Sequence, residues 1–221
     1  MFVDLVSMYW EIIDIVSRSI YVAGLATIAA SAWSIPLGLI IALRKFRGRY
    51  LLTSMFNSLI GFPTVLEGLI LYLLLTRSGP LGWLNLLYTV NAIIIGQALL
   101  ITPLIVSFVV GAVEGVDPRV RDAVLTLGLS EWRASIVVVS HCLRGIVASV
   151  MAGFNRAIGE LGVALMLGGD IRFKTRVITT AIAFETGLGN WGFALTLGFI
   201  FLLIIALITL LTFITARRVV S

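Results

Sequence analysis

The sequence predicts an all-α integral membrane protein that crosses the bilayer five times. Of its 221 residues, 60% are hydrophobic and only 12% are charged, and the mean hydropathy is +1.11. A soluble domain carries roughly 25% charged residues, so this composition excludes an ordinary soluble protein. Five apolar stretches are each long enough for a helix to cross about 30 Å of hydrocarbon, which takes roughly 20 residues. Helices are predicted because isolated strands cannot satisfy their backbone in lipid.

Residues 1–18 are predicted to form an amphipathic helix that lies along the outer interface of the membrane. Their polar residues recur at spacings of three and four, which places them on one helical face: Asp4, Ser7, Glu11, Asp14 and Arg18. Such a helix lies in the interface rather than spanning it. An irregular leader to the first span is the alternative. The early acidic residues argue against a cleaved signal peptide, which begins with a basic region.

The transmembrane region is predicted to cover residues 19–215, and a short cytoplasmic tail follows at 216–221. Its five spans are predicted at 19–43, 51–76, 90–113, 145–167 and 191–215. The loops hold ten Lys and Arg residues on one side of the membrane and five on the other. The positive-inside rule therefore places the N-terminus outside and the C-terminus inside. These loops account for the net charge of +5, so no nucleic-acid partner is expected.

A charged segment, PRVRDAVLTLGLSEWRAS, separates the third span from the fourth. Asp117 is a favourable N-cap for a short helix, and Gly128 is expected to break that helix. Ser130 can then cap a second helix that has Glu131 in its first turn. The pattern predicts a helix, a turn and another helix within a cytoplasmic loop of about residues 114–144.

This segment resembles the EAA loop of ABC importer permeases, in which E-A-A-x-x-x-G is followed after nine residues by I-x-L-P. The first part matches at Asp122, Ala123, Val124 and Gly128, and the second part begins at Val138. The resemblance implies a coupling helix that docks on an ATPase subunit. The coupling residues that it implies are Asp122, Ala123, Gly128, Glu131 and Arg133. A plain amphipathic loop on the lipid surface is the alternative.

A second stretch, AGFNRAIGELGVALMLGGDIRFKTRVITTAIAFET, resembles the permeases of tungstate/molybdate-type ABC importers. The family patterns G-R-A-I-x-E-x-G, M-x-G-G-N-I and T-R-x-x-T-T-A-I-A-x-E-T recur here in order. Asn155 stands where Gly is usual, and Asp170 where Asn is usual. The resemblance implies a homodimeric permease subunit in the cell membrane that takes up tungstate or molybdate from an extracytoplasmic oxyanion-binding protein. ATP and Mg would be bound by a partner ATPase dimer, so no cofactor and no metal is expected in this chain.

Two charged residues in the fourth predicted span are candidates for the translocation path. Arg156 and Glu160 are four residues apart, a spacing that lets them pair on a helix. A charge at bilayer depth costs at least a few kcal/mol, so such residues face protein or water. The pair either lines a path at the dimer interface or locks the packing of helices. Further candidates for the path or for an outer gate lie in or beside an apolar segment at 177–184: Arg176, Thr179 and Thr180.

Other functional classes remain open from the residues alone. A permease for sulfate or another oxyanion would have the same architecture. An intramembrane enzyme is disfavoured because the sequence has no HExxH motif, no paired aspartates and no Ser/His set. A membrane scaffold would leave both the coupling segment and Arg156 without a role. One cysteine, Cys142, excludes an intramolecular disulfide, and one histidine, His141, offers no metal-ligand cluster.

Overall fold

The computed structural model describes the backbone of residues 2–44 and 46–219, and side chains from residue 8 to 210 except Lys45, together with Thr212 and Ile214. The regular secondary structure of this part of the chain is entirely helical. Its helices are α1 (Phe2–Leu43), α2 (Arg49–Leu59), α3 (Thr64–Leu75), α4 (Val90–Glu114), α5 (Pro118–Thr126), α6 (Glu131–Ile158), α7 (Gly162–Gly168), α8 (Ile178–Gly187) and α9 (Trp191–Val219). A short 3-10 turn, Gly82–Leu84, lies between α3 and α4.

The first helix is one continuous element, which corrects the predicted boundary at residue 18. α1 has 42 residues and no break between the amphipathic start and the first span. At 1.5 Å per residue it is roughly 60 Å long, about twice the hydrocarbon thickness. Its first turns are therefore a rigid extension of the span rather than a separate helix. The side chains of Asp4 and Ser7 lie outside the described residues.

The core is formed by α1, α4 and α6, which pack through small side chains. Three alanines of α1 at spacings of three and four are fully buried, Ala23, Ala26 and Ala30. A Cβ added at Gly153 of α6 would lie 2.8 Å from Ile105 of α4. Small residues let the helix backbones approach closely, which is how helices associate in lipid. The alanines and this glycine therefore fix where the three helices cross.

The second predicted span is two helices rather than one. The axes of α2 and α3 differ by 96° across the break at 60–63. Pro63 precedes the first residue of α3, in agreement with the expected start of a helix there. Among the described residues, four helices are long and apolar enough to cross a membrane, and the bent pair α2–α3 gives up to five spans. The predicted count of five therefore depends on whether this pair crosses the bilayer.

The fourth predicted span, 145–167, has different boundaries in the structure. α6 begins at Glu131 and ends at Ile158, and the chain breaks at 159–161 before the short helix α7. The second half of the predicted coupling loop at 114–144 is therefore the first half of α6. Gly169 adopts a left-handed conformation (φ 68°) and ends α7, as the two glycines at 168 and 169 predicted.

The helices give the molecule two ends, which we call the α5 end and the far end. The α5 end holds the residues 46–48, helix α5 and the turn 127–130. The far end holds the start of α1 and the loops at 76–89, 169–177 and 188–190. α8 lies at the far end and is helical over ten residues, too short to cross a bilayer. α9 runs away from the far end and ends at Val219, whereas the rest of the predicted tail, 220–221, lies outside the described residues.

Candidate functional site

The predicted pair of charges forms at the break between α6 and α7. A guanidinium nitrogen of Arg156 lies 2.5 Å from a carboxylate oxygen of Glu160. The other carboxylate oxygen of Glu160 accepts a hydrogen bond from the Val163 amide of α7 at 3.1 Å. A carboxylate at the start of a helix and a cation at the end of one are both favourable for the helix dipole. Glu160 thus joins Arg156, at the end of α6, to the start of α7.

The two members of this pair differ in exposure. The side chain of Glu160 is 3% exposed, whereas that of Arg156 is 36% exposed. Beside Arg156, the Asn155 amide donates a hydrogen bond of 3.3 Å to the Thr209 hydroxyl of α9. Arg156, Asn155 and Thr209 lie on helices that are long and apolar enough to cross a membrane, where charged and polar side chains do not face lipid readily. The open side of Arg156 therefore faces either water or another protein surface.

Two further elements meet the Arg156–Glu160 pair. The Thr179 hydroxyl of α8 donates a hydrogen bond of 2.8 Å to the Glu160 carbonyl. Glu67 of α3 interacts electrostatically with both members of the pair. α3 can approach α7 closely because Gly162 has no side chain. A Cβ added at Gly162 would lie only 2.8 Å from the Thr64 hydroxyl. The break between α6 and α7 is therefore a junction of four helices, and Thr179 is the candidate residue that bonds to it directly.

Arg176 lies in a different place, within a charged cluster at the far end. Its guanidinium contacts the carboxylates of Asp170 at 3.0 Å and of Glu11 and Glu185 at 3.4 Å each. The side chain is only 6% exposed, and the guanidinium carbon lies 4.7 Å from the centre of the Phe184 ring. The charge of Arg176 is thus balanced by the protein itself. Its predicted contact with a passing anion stays a prediction.

Arg172 extends this cluster to the molecular surface. Its guanidinium makes two hydrogen bonds to the Glu11 carboxylate, at 2.8 and 2.5 Å. These bonds raise the pKa of Arg172 above its ordinary value. We call the group the far-end cluster, and its members are Glu11, Asp14, Arg18, Asp170, Arg172, Arg176 and Glu185. It holds more carboxylates than guanidinium groups, so its net charge does not attract anions.

Thr180, the other predicted gate residue, serves the start of its own helix. It is 1% exposed, and its hydroxyl accepts from the Val177 amide and donates to the Val177 carbonyl, both at 3.0 Å. An N-terminal hydroxyl that satisfies the backbone in this way stabilises a helix start. The structure therefore places Thr179, but not Thr180, against the Arg156–Glu160 pair.

The coupling segment has the predicted local structure. The Asp117 carboxylate accepts a hydrogen bond from the Arg119 amide at 2.9 Å, and Gly128 ends α5 in a left-handed conformation (φ 75°). The Ser130 hydroxyl faces the Arg133 amide at 3.5 Å and caps α6. Glu131 forms an ion pair of 2.6 Å with Arg121, which joins α6 to α5.

This segment projects from the α5 end. Asp122, Ala123 and Arg133 are exposed, as a docking surface requires. Two apolar side chains that the sequence did not single out are the most exposed ones nearby, Leu127 at 78% and Trp132 at 74%. Their positions in the sequence, on either side of the predicted turn, could have indicated that they are exposed. Exposed large apolar residues beside charged ones are typical of a protein or membrane contact.

Metal chemistry has no evident place in the described residues. Among them, no group of three or more His, Cys, Asp or Glu side chains could hold a metal ion. The described residues offer a partly exposed cation on a helix long and apolar enough to cross a membrane, a charged cluster at the far end and a projecting helix at the α5 end.

Comparison with known proteins gives the family. Residues 34–221 match the family described as binding-protein-dependent transport system inner membrane component. The chain is 37% identical over 199 residues to a probable anion ABC transporter permease protein of Haloferax volcanii, with 88% of this chain and 86% of that protein covered. It is 36% identical over 200 residues to the tungstate uptake system permease protein TupB of Peptoclostridium acidaminophilum, with 90% and 88% covered. The methionine ABC transporter MetNI in inward-facing conformations has a similar fold, with a TM-score of 0.77 at 14% identity over 97% of this chain and 98% of that chain.

Proposed function

Because the chain belongs to the family of binding-protein-dependent transport system inner membrane components, we propose that it carries an oxyanion, tungstate or molybdate, into the cell. Membership makes the chain a multi-pass inner-membrane permease of an ABC importer, a transport component rather than an enzyme. The names of two relatives, an anion permease and a tungstate uptake permease, support the class of substrate.

The observation that carries the proposal is the partly exposed guanidinium of Arg156 at membrane depth. Its ion pair with the buried Glu160 fixes its position and engages one of its guanidinium nitrogens. A guanidinium has five donors in a planar fork, which suits the oxygens of an oxyanion. Hydrogen bonds between charged groups are also the stronger kind. Arg156 can therefore attract an oxyanion without leaving its partner.

The exposed side of Arg156 also supports a dimer. A cation at this depth faces water or protein rather than lipid. We place a second copy of the chain opposite Arg156, so that the path for the oxyanion runs between the two copies. Asn155 and Thr209 would then line the same path beside Arg156.

Energy for transport would come from partners at the α5 end. This end carries the basic residues Arg44, Arg47, Arg49 and Arg119, which favour a cytoplasmic location. Leu127 and Trp132 would dock on an ATPase dimer that binds ATP and Mg. An extracytoplasmic oxyanion-binding protein would then meet the far end and release its anion toward Arg156.

The test asks whether Arg156 contacts the oxyanion or only balances the charge of Glu160. Arg156→Gln should lower tungstate uptake by about ten- to a hundredfold, since a hydrogen bond to a charged group contributes roughly 1.5–3 kcal/mol. That loss alone is ambiguous, because Glu160 is left buried without its partner. The double variant Arg156→Gln/Glu160→Gln removes both charges and keeps the shape of both side chains.

If Arg156 contacts the oxyanion, the double variant stays defective while its amount in the membrane is normal. Arg156→Lys should retain part of the uptake, because it keeps the positive charge but loses the planar fork. Full uptake by the double variant would contradict the proposal, since Arg156 would then serve only to balance Glu160.

A further inference from the structure

We propose that Glu11 and Ser19 of α1 are positioning residues for transport: they hold α8 in place and, through α8, the Arg156–Glu160 pair. The inference rests on the proposed function, because it assigns the pair to the substrate path. It gives the first turns of α1, which precede the matched family region, a role in that path.

The first link is the hold of Glu11 on the loop before α8. Its carboxylate is buried and accepts hydrogen bonds from both Arg172 and Arg176. Two turns later on α1, Arg18 donates a hydrogen bond of 3.0 Å to the Arg176 carbonyl, and the Asp14 carboxylate accepts one of 2.6 Å from Arg18. Side chains of α1 thus bind both side chains and one backbone carbonyl of the loop 170–176.

The second link is a helix cap that α1 supplies to α8. The Ser19 hydroxyl accepts a hydrogen bond of 2.8 Å from the Ile178 amide, the first residue of α8. The same hydroxyl donates to the Ile15 carbonyl at 2.7 Å, which fixes its direction. A helix of ten residues is marginal by itself, so its position depends on such tertiary contacts. Ile15 adds to the hold by packing in one buried cluster with Ile178 and Ala181 of α8.

The third link joins α8 to the substrate path. Thr179 follows the capped residue Ile178 and donates its hydrogen bond of 2.8 Å to the Glu160 carbonyl. Glu160 in turn holds Arg156 at 2.5 Å. A continuous series of contacts therefore runs from Ser19 through α8 and Glu160 to the guanidinium. A displacement of α8 would shift or release the group that meets the oxyanion.

The experiment removes single links and measures transport separately from assembly. Ser19→Ala deletes the cap of α8, and Glu11→Gln weakens the hold on Arg172 and Arg176. Each variant should lower tungstate uptake about fivefold, the effect expected from loss of one helix cap. ATP hydrolysis stimulated by the tungstate-loaded binding protein should persist, because the α5 end is unchanged. This separation of uptake from hydrolysis is a readout that a purely structural defect would not give.

Two matched variants control for the substitutions themselves. Ser17→Ala removes an exposed hydroxyl that donates only to the Asp14 carbonyl, so uptake should remain normal. Ser19→Thr keeps the hydroxyl and should restore uptake. Normal uptake by both Ser19→Ala and Glu11→Gln would overturn the inference. So would a loss of uptake that parallels loss of transporter from the membrane, because the contacts would then serve folding alone.

The outcome for Arg156→Gln distinguishes this inference from the proposed function. If Arg156→Gln abolishes uptake and the α1 variants do not change it, the positioning role alone is wrong. If Arg156→Gln itself transports normally, the proposed path is wrong, and the inference falls with it.

Discussion

At the scale of single residues, the contacts of a side chain separate path residues from structural ones better than the residue type does. Arg156 is partly exposed beside one carboxylate, whereas Arg176 is enclosed by three. Thr179 bonds to the Glu160 carbonyl, whereas Thr180 bonds only to Val177. Sequence reasoning treated these threonines alike, because both carry a hydroxyl within the same apolar segment.

The first prediction concerns the stability of α8. Thr180→Val removes a buried hydroxyl that satisfies both the amide and the carbonyl of Val177. The Val177 carbonyl keeps its hydrogen bond from the Ala181 amide, but the Val177 amide would lose its partner. Leaving one buried backbone donor unpaired costs about 1–3 kcal/mol, so the Tm of the purified protein should fall by several degrees. Thr196→Val is the control, because Thr196 is exposed on α9 and donates only to the Gly192 carbonyl. Equal Tm values for the two variants would show that Thr180 does not stabilise α8.

The far-end cluster shows what sequence reasoning at this scale could not supply. The Arg156–Glu160 pair was predictable, because four residues separate its members on the chain. The partner of Arg172 was not, because Glu11 is 161 residues away in the sequence. The sequence did show that Glu11 belongs to a polar face of a helix. Its packing against the loop 170–176, rather than against the membrane surface, depends on how the helices are arranged.

At the scale of elements, helices with local start and stop signals were predicted well. α5 has a capping aspartate before it and a glycine after it, and both act as expected. Hydropathy predicted the long spans less well, because it reports apolar composition and not the direction of the chain. The stretch 51–76 is uniformly apolar apart from Glu67, yet the chain turns by 96° between α2 and α3. The capping Ser130 was identified, but hydropathy gave no sign that α6 runs unbroken from there into the fourth span.

The second prediction tests the turn after α5. A Cβ at Gly128 would meet no atom within 4 Å, so any penalty comes from its positive φ of 75°. Gly128→Val should cost about 1–2 kcal/mol, because a left-handed conformation is unfavourable for a β-branched residue. The turn should then distort, and the ATPase should no longer co-purify with the permease.

Gly128→Asn is the matched control for this turn. Asn tolerates the left-handed conformation, so this variant should keep the ATPase attached. If Gly128→Val also retains both the ATPase and normal uptake, the coupling role of the segment is wrong. Loss of the ATPase in both variants would instead show that the glycine is needed for contact rather than for its conformation.

At the scale of the whole molecule, three parts of the chain between the α5 end and the far end have different proposed functions. The α5 end carries the exposed coupling segment, the break between α6 and α7 carries the partly exposed Arg156 and its buried partner Glu160, and the far end carries the cluster that holds α8. The number of spans, the orientation and the dimer were expectations from charge and resemblance. Cysteine labelling and reconstituted transport test these expectations.

The third prediction tests this orientation by labelling single cysteines in a Cys142→Ser background. Arg47→Cys lies in the loop after α1, and Arg77→Cys lies in the loop after α3. A membrane-impermeant thiol reagent should label Arg77→Cys in intact cells and Arg47→Cys only after the membrane is opened. Labelling of both residues from the same side would contradict a crossing by the bent pair α2–α3. Labelling from exchanged sides would reverse the orientation.

The central claim is that this chain conducts an oxyanion under the control of an ATPase, and reconstituted transport tests it most directly. The permease and its ATPase would be placed in proteoliposomes with ATP inside and the tungstate-loaded binding protein outside. Tungstate should accumulate only when both ATP and the ATPase are present. Molybdate-loaded binding protein should compete, and sulfate should not. If neither tungstate nor molybdate enters proteoliposomes in which the ATPase is attached and active, the central claim is wrong.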